Sequence, residues 1–248
     1  MQEKQSVHFL HIGKTGGTAI KYALSESLTD GPYAIFLHGH GVKLRDVPEG
    51  EGVAFFLRDP VSRFASGFFS RQRQGQPIGF WPWNHEERKA FEYFSTPNEL
   101  ASSLTARSRA RRLRARNAMQ GIRHVKDSFW RWFENEEYFR SRSSDIFFVG
   151  FQETLAKDFE ALRSRLQLRD RARLPDDDLL AHRNPPHLDT TLDERAVGNL
   201  KRWYRDGCEV SLMGPREAYP SDSHTGRWPI KPVNCCVPYG SALQECRR

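Results

Sequence analysis

The stretch that decides the fold is Val7-His8-Phe9-Leu10-His11-Ile12-Gly13-Lys14-Thr15-Gly16-Gly17-Thr18. Val7 to Ile12 is short and mostly apolar, the pattern of a strand buried in a parallel sheet. It breaks into a glycine-rich turn, and the run Ala19–Leu28 follows with Ile20, Ala23, Leu24 and Leu28 on one helical face. Strand, glycine turn and helix aim backbone amides and a helix N-terminus at an anion. Lys14 adds a charge, and Thr15 and Thr18 add hydroxyls. The loop reads as a phosphate cradle. A Walker A loop needs a glycine five residues before Gly13, where this chain has His8.

Two further apolar runs end in polar clusters. Tyr33–Leu37 leads into His38-Gly39-His40-Gly41, and Val53–Leu57 leads into Arg58-Asp59-Pro60. Ligands of open α/β sheets sit at such strand ends. Two histidines are too few for a zinc site, so a general base titrating near neutrality is the better use of them. Asp59 suits a helix N-cap and Pro60 the first helical position. Arg58 at the strand tip and Ser66 two turns into that helix are spaced to converge on a second anion.

The fold expected is α/β: a P-loop-like three-layer domain with a central parallel sheet of four to five strands flanked by helices. The domain is expected over 1–213, with an inserted helical and loop region at about 75–140 and an extended tail over 214–248. Within the insertion, Trp81 and Trp83 read as a hydrophobic lid in preference to a stacking surface for a sugar, 98–116 as an arginine-rich helix, and 117–139 as one amphipathic helix in which His124 is structural. A fourth strand is expected near 145–150 and a helix over 152–166. Thr191 and Glu194 form a capping box for a helix running to Asp206 that buries Val197, Leu200 and Tyr204.

Net charge is +7, and arginine outnumbers lysine. That balance suits bidentate recognition of phosphate, sulfate or carboxylate. The four cysteines, Cys208, Cys235, Cys236 and Cys246, form no C-x-x-C pair and read as reduced thiols. No apolar run approaches a membrane-spanning length. Met1–Gln5 leads straight into a strand, without the charged-then-apolar pattern of a secretory leader. A cytoplasmic protein is expected.

Together the strand-end motifs resemble the sulfotransferase superfamily, nearest the glycan-type enzymes typified by heparan sulfate 2-O- and 6-O-sulfotransferases. His11–Thr18 is similar to that family's loop for the 5′-phosphosulfate of 3′-phosphoadenosine 5′-phosphosulfate (PAPS), with Gly13 where members commonly have proline. Leu57–Gly67 resembles the 3′-phosphate motif, and His38-Gly39-His40 a segment whose second histidine is the base. Val149–Glu153 and Leu192–Asp206 are weaker likenesses.

The resemblance implies a PAPS-dependent transfer of a sulfuryl group to the hydroxyl of a carbohydrate or small metabolite, anionic ones included, with no metal and with nucleic acid not expected as a partner. The nucleotide contacts it implies are Gly13, Lys14, Thr15, Gly16, Gly17, Thr18, Ala19, Arg58 and Ser66, with Arg183 in the charged loop 169–190. The catalytic set is His40 as base, His38 as helper or alternate, and Lys14 on the leaving phosphate. Two rivals stand beside this reading: an ATP-dependent kinase using Asp59 on its magnesium side, and a non-catalytic polyanion or nucleic-acid binder working through the arginines of 107–116.

Overall fold

The structure is a computed structural model, and it describes residues 4–169, 172–177, 185 and 188–205. The expected tail, Arg183 and all four cysteines lie outside those residues.

Four parallel strands form the sheet: β1 (Gln5–Phe9), β2 (Tyr33–Leu37), β3 (Gly52–Leu57) and β4 (Ile146–Phe151), in the order β2-β1-β3-β4. The register sets Val7 beside Ile35, Phe9 beside Ala54 and Phe56 beside Gly150. Strand alternation then divides the apolar residues between two faces. Val7, Phe9, Ala54 and Phe56 meet Ile20 and Leu24 of α1 (Gly17–Leu24) and Phe159 and Leu162 of α8 (Leu155–Arg165). Val53, Phe55 and Leu57 join the larger core on the other face. That face is covered by α2 (Pro60–Gln72), α3 (His85–Tyr93), α4 (Pro97–Ser103), α5 (Arg109–Gly121), α6 (Trp130–Phe133), α7 (Glu136–Ser141) and α9 (Glu194–Arg205). The result is the expected three-layer α/β domain.

Chain direction reverses between β1 and β3: the chain leaves β1 toward β2 on one side and leaves β3 toward β4 on the other. The carboxyl ends of β1 and β3 therefore flank a topological switch point, where open α/β sheets leave a crevice. Both strand-end motifs lie there.

Several expected elements differ. The region 98–116 is two helices, because two N-caps compete for it: Thr96 Oγ1 accepts from Glu99 N (3.1 Å), and Ser108 Oγ from Arg111 N (3.4 Å). The expected helix 117–139 is broken into the end of α5, α6 and α7. Its apolar residues Ile122, Val125, Phe129, Trp132 and Phe133 are buried as their spacing implies. However, Ile122 is extended (ψ 119°) and His124 is left-handed (φ 68°), and neither continues a helix. The cap of α9 is Asp193, whose Oδ1 accepts from Ala196 N (2.7 Å), not a Thr191–Glu194 box. Leu200 and Tyr204 are buried as expected, but Val197 is only half-buried and Ala196 takes the core position.

Candidate functional site

The turn after β1 is made by two left-handed residues, Lys14 (φ 69°) and Gly16 (φ 85°). Glycine adopts that conformation freely, and lysine pays for it. Thr15 locks the turn from inside, its Oγ1 donating to Ile12 O (3.0 Å). Gly17 is required by contact: a Cβ there would sit 2.3 Å from His11 Cδ2. Gly16 is the N-cap of α1 and brings no side chain to it. The amides of Gly17, Thr18 and Ala19 thus have no intrahelical acceptor, the arrangement that suits an anion.

Two arginines hold this loop from the α2 side. Arg63, almost fully buried, donates from Nε to Gly13 O (2.9 Å) and from Nη1 to Asp127 O (2.7 Å), with its guanidinium 4.8 Å from the Phe129 ring centre. Arg58 donates from Nε to Ser62 Oγ (2.9 Å) and from Nη1 to Lys14 O (3.4 Å). Asp59 caps α2, its Oδ1 accepting from Ser62 N (2.8 Å). Glu153, just past β4, accepts from Asp59 N (2.8 Å) and ties the ends of β3 and β4 together.

Above the loop is a cavity of about 620 Å³. Lys14, Arg58, Arg71 and Arg123 line it, and no carboxylate does among the described residues. Burial pushes the Lys14 ammonium down to about 8, and the nearby Arg58, Arg73 and Arg63 charges add to that effect. A cavity that depresses a lysine so far favours an anion strongly.

The histidines separate cleanly. His40 Nδ1 lies 3.0 Å from His11 O, and since a carbonyl only accepts, Nδ1 carries the proton and Nε2 keeps its lone pair. Trp132 Nε1 donates to His40 O (3.2 Å), fixing the loop from behind. The His40 ring is 3.8 Å from that of His11 and 6.2 Å from that of His124. Burial lowers the His40 pKa; the hydrogen bond to His11 O partly offsets this, and Lys21, Lys14 and Arg131 lower it further. The ring is neutral at pH 7, as a base must be. His124 is held at about 3 by burial and then by Lys14, His40, Arg63 and Arg71, so it too is neutral.

His38 is engaged elsewhere. Its Nε2 is 2.8 Å from His8 Nδ1, and His8 Nε2 in turn bonds Glu51 Oε2. The cavity wall does not include it.

The structure thus brings Lys14, Gly16, Gly17, Thr18, Ala19, Arg58, Ser66 and His40 to one cavity. Gly13 and Thr15 support the loop from below. Arg71, Arg123, His11, His124 and Ser70 also line the wall without being among the expected contacts, and so does Trp81, read from sequence as a lid in preference to a stacking surface. The spacing Ser66, Ser70, Arg71 on one helix could have signalled the middle of it. Trp83 does fold back, donating from Nε1 to Arg71 O (2.7 Å), whereas Trp81 is 49% exposed at the cavity.

The rival readings find less here. Asp59 spends its carboxylate on the α2 cap and does not line the cavity. Among the expected polyanion contacts, Arg111 pairs with Glu99 (2.8 Å), Arg112 donates to Ala106 O and Arg107 O, and Arg114 covers the Tyr93 ring at 4.2 Å.

No family model, curated protein or solved structure significantly matches the chain. The reading of its function rests on its own residues. No helix among the described residues is long and apolar enough to cross a membrane.

Proposed function

We propose that the chain is a sulfotransferase that moves a sulfuryl group from PAPS to an acceptor hydroxyl. The observation that carries this is a cavity at the sheet's switch point lined by no carboxylate among the described residues. There, Lys14 stands at an open helix N-terminus, Arg58 and Ser66 line the same cavity, and His40 presents an unprotonated Nε2. A nucleotide with phosphate groups at both its 5′ and 3′ positions would use both sets of residues. ATP has no use for the second.

Each residue then has a task. Lys14 and the amides of Gly17–Ala19 hold the 5′-phosphosulfate, and Arg58 and Ser66 hold the 3′-phosphate. His40 Nε2 takes the proton of the acceptor hydroxyl as its oxygen forms a bond to sulfur. The bond from sulfur to the 5′-phosphate oxygen breaks, and 3′-phosphoadenosine 5′-phosphate (PAP) leaves. Lys14 neutralises the charge that develops on the departing oxygen. The His11 carbonyl keeps the imidazole in the tautomer that accepts at Nε2 and supports the imidazolium once formed.

Release of PAP from PAPS in the presence of carbohydrate and small hydroxyl acceptors tests this directly. His40→Ala is expected to abolish that release while still binding PAP. Turnover that survives the substitution would refute the assignment of the base.

A further inference from the structure

The two anion sites assigned above leave half of the cavity's cationic wall unexplained. Arg71 is 3% exposed, and its Nε and Nη2 form a two-point ion pair with Glu87 (2.7 and 2.9 Å). Glu87 is fully buried and outside the cavity wall. It also accepts from Arg123 N (3.0 Å) and Arg123 Nη2 (3.4 Å). Burial alone would raise its pKa, but the bonds from Arg71, Asn84 N and Arg123 N hold it down at about 2, so it stays ionised.

The same guanidiniums fasten the Trp81 loop. Arg71 Nη2 donates to Trp81 O (3.1 Å) and Pro82 O (3.3 Å), and Arg123 Nη2 donates to Pro82 O (3.0 Å). Arg71 Nη1, Arg123 Nη1 and Arg123 Nε make no hydrogen bond to any described residue, and both side chains line the cavity. The cluster carries one net positive charge after Glu87 is counted. A buried ion pair adds little stability over an apolar replacement. What this one does is fix two guanidiniums on the cavity wall with donors to spare.

We propose that Arg71 and Arg123 form a third anion subsite, which takes a carboxylate or sulfate group carried by the acceptor. The assignment to the acceptor rests on the sulfotransferase reading, because Lys14 with its loop and Arg58 with Ser66 already account for the nucleotide's two anionic ends. Trp81, half-exposed on the same wall, offers a flat face beside the subsite for the ring that carries the group. Neutral acceptors leave the pair unsatisfied and are disfavoured.

Sodium sulfate is the probe, titrated into the full chain at constant ionic strength, with PAP saturating and with PAP absent. With PAP bound, sulfate binds the unmodified chain, and Arg123→Gln weakens it about tenfold or more, the cost of losing a hydrogen bond to a charged group. Arg123 is partly exposed, so its replacement leaves the buried Arg71–Glu87 pair in place. Without PAP, Arg123→Gln loses one sulfate site while Lys14→Met loses a different one. Equal sulfate affinity in Arg123→Gln and the unmodified chain would overturn the subsite. So would a fall in PAP affinity as large as the fall for sulfate, which would assign the pair to the nucleotide. Failure of the unmodified chain to bind PAP would count against the transferase reading alone, since the titration without PAP still reports the subsite.

Discussion

Raising the pH is the perturbation that addresses Lys14 most cleanly. Burial, then the charges of Arg58, Arg73 and Arg63, brings its ammonium from the ordinary 10.5 to about 8. That displacement corresponds to roughly 3 kcal/mol set against the charged form. A bound phosphate relieves the penalty, so PAP selects the ammonium form. PAP affinity should therefore be level below about pH 8 and fall about tenfold per pH unit above it. The unliganded chain should respond in the opposite sense. Between about pH 8 and 10.5 the unfolded chain binds the lysine proton and the folded chain does not, so this group makes stability rise with pH in that window. Opposite slopes separate Lys14 from general alkaline damage. Isothermal titration with PAP at pH 7, 8, 9 and 10, in buffers of differing ionisation enthalpy, reads both the affinity and the proton taken up. Lys14→Arg stays charged across the range and should abolish the slope. Level affinity to pH 10 in the unmodified chain, or an equal fall in Lys14→Arg, would refute the reasoning.

Other outcomes follow from the same geometry. Gly17→Ala forces a methyl to within 2.3 Å of His11 Cδ2, so it should cost about 1–3 kcal/mol in thermal unfolding and weaken PAP binding with it. Glu87 is depressed from 4.5 to about 2, so its contribution is complete above about pH 4.5 and disappears as pH falls toward 2. Acid unfolding should show a loss of roughly 3 kcal/mol across that window. Glu87→Gln should be less stable at pH 7 by about 3–5 kcal/mol, since a buried guanidinium is left unpaired, and flatter in acid.

What could be read from sequence divides along physical lines. Strand ends and their caps are local signals. Val53–Leu57 announced a buried strand by composition; Val7–Ile12 did so too, although β1 ends at Phe9 and Leu10–Ile12 continue as buried, non-strand chain. Asp59-Pro60 announced the start of α2, so the cradle and the Arg58–Ser66 pair could be placed together. The far wall was not local. Arg71 looked like one more basic residue near a helix end, and its function depends on Glu87, sixteen positions away, reaching back from α3. His124 sits in a run whose apolar spacing imitates a helix, and its left-handed backbone, which turns the ring toward the cavity, leaves no mark in that spacing. The separate fates of His38 and His40 depended on His8 in β1 and His11 just beyond it, whose side chain and carbonyl the sequence could not orient.

The measurement closest to the central claim is a paired titration of the chain with PAP and with AMP, which differ only in the 3′-phosphate. The account predicts that PAP binds about tenfold or more tightly than AMP, and that Arg58→Gln brings PAP down to the AMP level while leaving AMP nearly untouched. Equal affinity for PAP and AMP in the unmodified chain would contradict it.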